Sequence, residues 1–279
     1  MKPSNPGAKA TRRQRRIARR MAALGVPDFE TPADCAKRQQ RMVGRLRRRG
    51  AGRETTEGLA DCSPKSCGMF ECRDGCHFAA RRFRHEMVPR ATKIFEQREG
   101  PLWFVTVIHP DWSWPTTEPF SPDRIRQAQD WLATRLERLG KRNLLAIGSW
   151  EFCLNIELDG TCTWSGHLHF IIAGVTYDAL EQALAISKVE ATASGSRPLM
   201  IKPVVSRLAR TIAYCIKMNS EQRLAYRDKT GRKNRNHLPL RAPEQYYFDH
   251  ALCSIDKGAR VFWFDAWPYM PDGIRIREV

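Results

Sequence analysis

Leu102-Trp103-Phe104-Val105-Thr106-Val107-Ile108 is a nearly unbroken apolar run, the pattern of a buried strand. Leu144 to Leu158 and Thr161 to Ala173 are two longer strand-like runs separated by Asp159-Gly160, a turn pair, and together they predict a β-hairpin. Met200 to Pro203 reads as a short strand and Ala259 to Asp265 as a last one. Helical spacing is expected from Phe78 to about Gln97 and from Tyr177 to Ser187. Ser121-Pro122-Asp123 opens another helix, with Pro in its first turn, which runs to about Leu139 and closes at Gly140. From Ser206 to Met218, Leu208, Ile212 and Ile216 recur every four residues and mark the core face of a further helix. Residues 227–245 are basic and read as loop. This mixture predicts an α+β fold with a largely antiparallel sheet.

The first third of the chain has a different pattern. Residues 9–24 have helical propensity, but arginines occur on nearly every side. Pro32 to Arg48 predicts a second basic helix, stopped by Gly50 and Gly52. Neither has enough apolar surface to fold alone. The expected organisation is a basic, partly disordered arm at 1–60, a Cys-rich segment with a basic helix at 61–98, and a catalytic domain at 99–279.

Charge sharpens that division. The 279 residues carry a net +17. Residues 1–100 hold 24 Lys/Arg against 11 Asp/Glu, or +13, leaving +4 for the remainder. Basic charge so concentrated favours a polyanionic partner through counterion release. The candidate contacts are Arg12, Arg13, Arg15 and Arg16, then Arg47, Arg48 and Arg49, then Arg81, Arg82 and Arg84. A solubilising tail or a transit peptide has a similar composition, and the nucleic-acid arm is preferred. The first residues lead into arginines rather than an apolar stretch, so no export signal is expected; no apolar run approaches the length that spans a bilayer, so no membrane partner is; and nine cysteines that do not form an extracellular framework point to a reducing, cytoplasmic location.

The chemistry concentrates in Trp164-Ser165-Gly166-His167-Leu168-His169-Phe170. On a strand, residues two apart share a face, so His167 and His169 present two imidazoles side by side. Such a pair suits a divalent cation, Mn²⁺ or Mg²⁺ if a carboxylate joins it. It is also compatible with two partly exposed histidines on an amphipathic strand. Glu151 is the candidate third ligand and Glu157 the lesser one. A two-residue turn at Asp159-Gly160 would put Trp150 opposite His169 and turn Glu151 to the wrong face. One extra residue near Gly166, a β-bulge, would bring Glu151 opposite His169.

Tyr214 and Lys217, in Tyr214-Cys215-Ile216-Lys217, lie at i and i+3 away from the helix's apolar stripe. A phenol ionises near 10 and is a poor nucleophile unless cations favour the phenolate. A surface Tyr beside a solvated Lys would fit the same spacing. The order of the His pair and this tyrosine helix points to tyrosine attack on a phosphodiester.

These motifs resemble those of the HUH endonucleases, in particular rolling-circle replication initiators of the small-plasmid type. Trp103-Phe104-Val105-Thr106-Val107 is similar to the first family motif. His167-Leu168-His169, with Glu151 upstream, is similar to the second, and Ala213-Tyr214-Cys215-Ile216-Lys217 to the third. The resemblance covers roughly residues 60–265. It implies a ferredoxin-like antiparallel sheet carrying the His pair. It also implies metal ligands at Glu151, His167 and His169, a nucleophile at Tyr214 and electrostatic help from Lys217. The implied reaction nicks single-stranded or hairpin origin DNA, leaving a 5′-phosphotyrosine link and a 3′-hydroxyl for rolling-circle replication. Related transposases and relaxases share that chemistry. No Gly-x-x-x-x-Gly-Lys-Ser/Thr phosphate loop is present, so a host helicase and polymerase are the expected partners. Tyr246-Tyr247 is read as packing.

Cys62, Cys67, Cys72 and Cys76 fall within fifteen residues and predict a structural Zn²⁺ knuckle. Independent thiols and redox pairing are the other uses of such a cluster, and His77 could replace one cysteine. A zinc-containing, non-catalytic nucleic-acid-binding regulator is therefore the alternative to a nuclease. Only Glu151, His167, His169, Tyr214 and Lys217 separate the two.

Overall fold

The computed structural model describes residues 12–26, 29–63, 73, 75–140, 144–186, 198–217, 220–256, 258–264 and 277–278. Its centre is the hairpin of β3 (Leu145–Ile156) and β4 (Cys162–Ala173), paired without interruption from Ile156↔Cys162 to Leu145↔Ala173. β1 (Leu102–Val107) lies antiparallel to β4 and carries β5 (Leu199–Pro203) on its outer edge. On the far side, β6 (Gln222–Arg227) runs parallel to β3 and pairs with β7 (Lys233–Leu238). The result is an α+β fold whose mixed sheet is mostly antiparallel.

Each strand of the hairpin changes partner part-way along. β4 pairs with β1 over Leu168–Ala173 and with the short β2 (Ser113–Pro115) over Thr163–Ser165. β3 pairs with β8 (Val261–Phe264) over 146–149 and with β6 over Leu154–Ile156. Between the partners lie Gly166-His167 on one strand and Trp150–Cys153 on the other. The backbone there is satisfied from outside the ladder: Arg260 donates to the Trp150 carbonyl at 3.2 Å and Ser220 to that of Phe152 at 2.6 Å.

Because side chains alternate, the hairpin has two unlike faces. One packs Ala146, Trp150, Phe152, Leu154, Trp164, Leu168, Phe170 and Ile172 into a core. This face is covered by α5 (Asp123–Glu137), α6 (Tyr177–Ala183) and α8 (Ala242–Cys253). On the other face Leu145, Ile147, Ile171 and Ala173 pack beneath α1 (Arg12–Ala23), α4 (His77–Glu96) and α7 (Leu208–Cys215). No described helix is long and apolar enough to cross a membrane.

Several expectations need correction. α2 (Pro32–Arg48) is capped by Thr31 and Asp34 and buries Cys35, Met42, Val43 and Leu46 with Leu59 of α3 (Arg53–Ala60), Phe78 and Cys253. Arg45 of α2 binds Asp249 of α8 at 2.7 Å. Residues 32–60 are thus packed helices rather than a loose arm, because their apolar positions, sparse in sequence, meet surfaces supplied by distant elements. α4 likewise belongs to the core of the sheet, so the core does not break at residue 98. Residues 227–245, expected as loop, contain β7 and the start of α8. Gly231 takes φ +79°, and Asp228 accepts hydrogen bonds from the Thr230 and Arg232 amides to close the β6–β7 turn.

Candidate metal and nucleophile site

The register of the β3–β4 hairpin comes from its tip. Gly160 adopts φ +85°, donates to the Glu157 carbonyl at 3.0 Å, and leaves Leu158, Asp159 and Gly160 as a three-residue loop. Glu157 then faces Thr161, and Glu151 falls opposite His167, with Ser149 opposite His169. The extra residue that aligns the carboxylate is therefore in the turn, not near Gly166. Gly166 has a different task. A Cβ there would lie 2.7 Å from the Trp150 ring, so its hydrogen lets the indole lie flat on the strand.

Along the α4/α7 face, chemistry changes over two residues: Leu145 and Ile147 give way to Ser149 and Glu151, and Ala173 and Ile171 to His169 and His167. Glu151, His167 and His169 are all buried, and each offers a ligand atom within 4.8 Å of the others. Glu151 Oε2 is 3.8 Å from His167 Nε2, 3.9 Å from His169 Nε2 and 3.6 Å from Lys217 Nζ. Thr106 Oγ1 on β1 lies 2.9 Å from His169 Nδ1. With the proton assigned to Nδ1, where the hydroxyl accepts it, Nε2 keeps its lone pair facing Glu151. His167 Nδ1 is 3.4 Å from the Ser165 carbonyl.

The protonation states suit metal ligation. Burial, with Lys217 and Arg223 nearby, pushes His169 down to about 3. Burial and the neighbouring His169 drive His167 well below the usual imidazole range. Both imidazoles are neutral at pH 7, the form that ligates metals. Burial raises Glu151 to about 7, against the pull of Lys217 and Arg260. His169 Nε2 and Glu151 Oε1 are buried with no hydrogen-bond partner. Orphaned acceptors at the convergence of two imidazoles and a carboxylate cost free energy unless something electropositive joins them. The donor set fits a divalent ion, which Glu151, His167 and His169 would hold.

Tyr214 stands at the rim. α7 is fastened over the site by Ser149, whose Oγ donates to the Cys215 carbonyl at 2.5 Å. The helix ends there, with Ile216 as its C-cap, so Lys217 leaves the helical path and turns inward to Glu151. Tyr214 is 42% exposed, and its ring lies 5.2 Å from that of His169. Lys217 Nζ sits 3.9 Å from the Tyr214 ring centroid. Burial works against the Lys217 charge, but Glu151 and Tyr214 outweigh it and hold the ammonium above its usual pKa. Lys217 is therefore a fixed cation rather than a base.

Glu151, His167, His169, Tyr214 and Lys217 all meet here. Tyr247 instead packs, as expected: its ring stacks on Trp164 at 4.9 Å and its hydroxyl meets Trp114 Nε1 at 2.9 Å. Glu157 pairs with Lys233 and Arg235, away from the site. Thr106, Ser149 and Arg260 were missed as contributors; Thr106 and Ser149 stand out as single hydroxyls inside apolar runs.

The basic residues divide by partner. Arg81 donates to the Glu30 carbonyl at 2.7 Å, Arg84 reaches the Glu30 carboxylate at 3.1 Å, and both lie over Phe29. These two arginines clamp the segment before α2. Arg82 is exposed, beside Glu86. Arg15, Arg16, Arg47, Arg48 and Arg49 are exposed. The side chains of Arg12 and Arg13 lie outside the described set. So do Cys67 and Cys72. Cys62 and Cys76 lie in one cluster, and the Cys76 sulfur accepts from the Ala79 amide at the start of α4. No protein-family model, curated protein or solved structure matches this chain.

Proposed function

We propose that this protein is a metal-dependent DNA-nicking enzyme that uses Tyr214 as its nucleophile. The observation carrying the reading is the meeting of an exposed tyrosine, a fixed lysine cation and a buried Glu-His-His set within one small site. A divalent cation held there, Mn²⁺ or Mg²⁺, supplies Lewis-acid polarisation of a phosphodiester.

The chain's own groups do the rest. The Tyr214 oxygen attacks phosphorus while the bond from phosphorus to the 3′-oxygen breaks. The phenolic proton passes to solvent, which Tyr214 borders. The departing oxygen takes a proton from water and becomes a 3′-hydroxyl. Lys217 stabilises the phenolate and the charge developing on phosphorus. Thr106 keeps the His169 ring in position, and Ser149 keeps α7 over the site. The products are a 5′-phosphotyrosine link and a primer end.

The biological reading follows the same resemblance: initiation of rolling-circle replication on single-stranded or hairpin origin DNA in the cytoplasm, with a host helicase and polymerase. The ferredoxin-like description of the sheet and a structural Zn²⁺ at Cys62, Cys67, Cys72 and Cys76 belong to this proposal too. The test uses labelled single-stranded DNA, Mn²⁺ and denaturing electrophoresis. Wild type forms a covalent protein–DNA adduct, and Tyr214→Phe keeps fold and metal but forms none. A wild type with no adduct on any origin-like strand would favour the non-catalytic regulator.

A further inference from the structure

Beside Tyr214 lies an open groove of about 660 Å³. One wall is α7 with the residue before it, contributing Arg207, Arg210 and Tyr214; the other is the β6–β7 hairpin, contributing Arg223 and His237. The floor is largely apolar, with Phe104, Ile108 and Met200. No lining residue is Asp or Glu. Arg207 is the one described non-glycine residue at positive φ, +56°, an uncommon backbone state that accumulates at functional sites. Cationic walls over an aromatic and apolar floor are the chemistry of a single nucleic-acid strand.

Arg223 differs from the other cations. It also lines a small inner cavity of about 50 Å³ with Glu151, His167 and Lys217, so it borders both the groove and the metal site. Its side chain is only 19% exposed. Glu221 holds it: Oε1 accepts from Arg223 Nε at 3.2 Å and lies 2.7 Å from His237 Nδ1. His237 is the direct β-ladder partner of Arg223. The described hydrogen bond uses Nε, which leaves the planar end of the guanidinium for a phosphate, the geometry in which arginine binds two oxygens at once.

We infer that Arg223 is a phosphate clamp for the nicking reaction. It holds the scissile phosphodiester against Tyr214 from the side opposite α7, and Glu221 and His237 act as positioning residues for it. This rests on the proposed tyrosine chemistry and adds a residue from outside the three sequence motifs.

Two measurements test it on the full chain. The first is the rate of adduct formation at saturating single-stranded oligonucleotide with Mn²⁺. Arg223→Ala should lower it by roughly 10²–10³-fold, the scale of losing one preorganised donor to the transition state. Arg223→Lys should recover only part of this, because charge without the fork does not orient the phosphate, and Glu221→Gln should fall between Arg223→Ala and wild type. The second is binding of a labelled oligonucleotide by anisotropy across a salt series. Arg223→Ala should flatten the slope of log K against log salt by about 0.7, one phosphate contact on a single strand. Every variant should still bind Mn²⁺, which separates the clamp from the metal ligands. Arg227→Ala, an exposed arginine of the same strand outside the groove, serves as the control and should match wild type. A wild-type rate in Arg223→Ala overturns the clamp while leaving the tyrosine reading standing. If wild type forms no adduct, the tyrosine reading fails, and an unchanged salt slope in Arg223→Ala overturns the phosphate contact as well.

Discussion

On one face of the β3–β4 hairpin, Trp150, Phe152, Trp164 and Phe170 interlock with Trp114, Phe248 and Phe262. On the other, only a strand's thickness away, Ser149, Glu151, His167 and His169 line up, and Glu151 Oε1 and His169 Nε2 are buried without partners. The backbone ladder is common to both. The aromatic face gains free energy from burial, whereas the ionisable face costs free energy unless a cation is bound. A small site can hold such costly groups because rigid packing behind it fixes their positions, so they cannot relax away. Stability and chemistry should therefore be separable by which face is altered.

The strongest test is His169→Ala. Loss of a ligand should remove measurable Mn²⁺ binding and lower nicking by a factor on the order of 10³ or more, the several kcal/mol a metal site supplies. Thermal stability without metal should fall little or rise, since a buried orphan is removed. A cooperative collapse of the fold on calorimetry would mean that the two faces are not independent. On the aromatic face, Phe152→Ala should cost about 3–5 kcal/mol in urea unfolding while the folded fraction still binds Mn²⁺. Lys217→Ala should slow adduct formation by about 10²–10³-fold with metal affinity retained, read in single-turnover kinetics. Gly166→Ala pushes a methyl into the Trp150 ring and should destabilise by about 1–3 kcal/mol, measured by denaturant midpoint, without touching the site directly. Thr106→Val is the mildest. It removes the hydroxyl behind His169 and should weaken metal binding about 10–100-fold by isothermal titration.

How far the sequence reached differs between these faces. The apolar runs of β1, β3 and β4 are long and regular, so the central sheet was legible. So was the His pair, because i and i+2 share a face in any register. The pairing of Glu151 was not, since it depends on the conformation of Asp159-Gly160, and a turn one residue longer moves the carboxylate to another face. β7, Lys-Asn-Arg-Asn-His-Leu, was hidden because its exposed edge carries no apolar alternation. Arg81 and Arg84 looked like free cations because Glu30, their partner, is far away in sequence. Arg223 was invisible for a similar reason: its importance comes from bordering two cavities, a property only of the folded chain.

The loop at the hairpin tip acts as a parity setting for the site. With Leu158, Asp159 and Gly160 in the loop, Glu151 shares a face with both histidines. Inserting or deleting a single residue there would exchange the two faces of one strand relative to the other, placing Trp150 among the imidazoles and Glu151 among the tryptophans. Changes of two residues would keep the faces and slide the carboxylate along the row. Length variation at this exposed turn, usually the most tolerant part of a protein, is thus constrained to even steps by chemistry several residues down the strand.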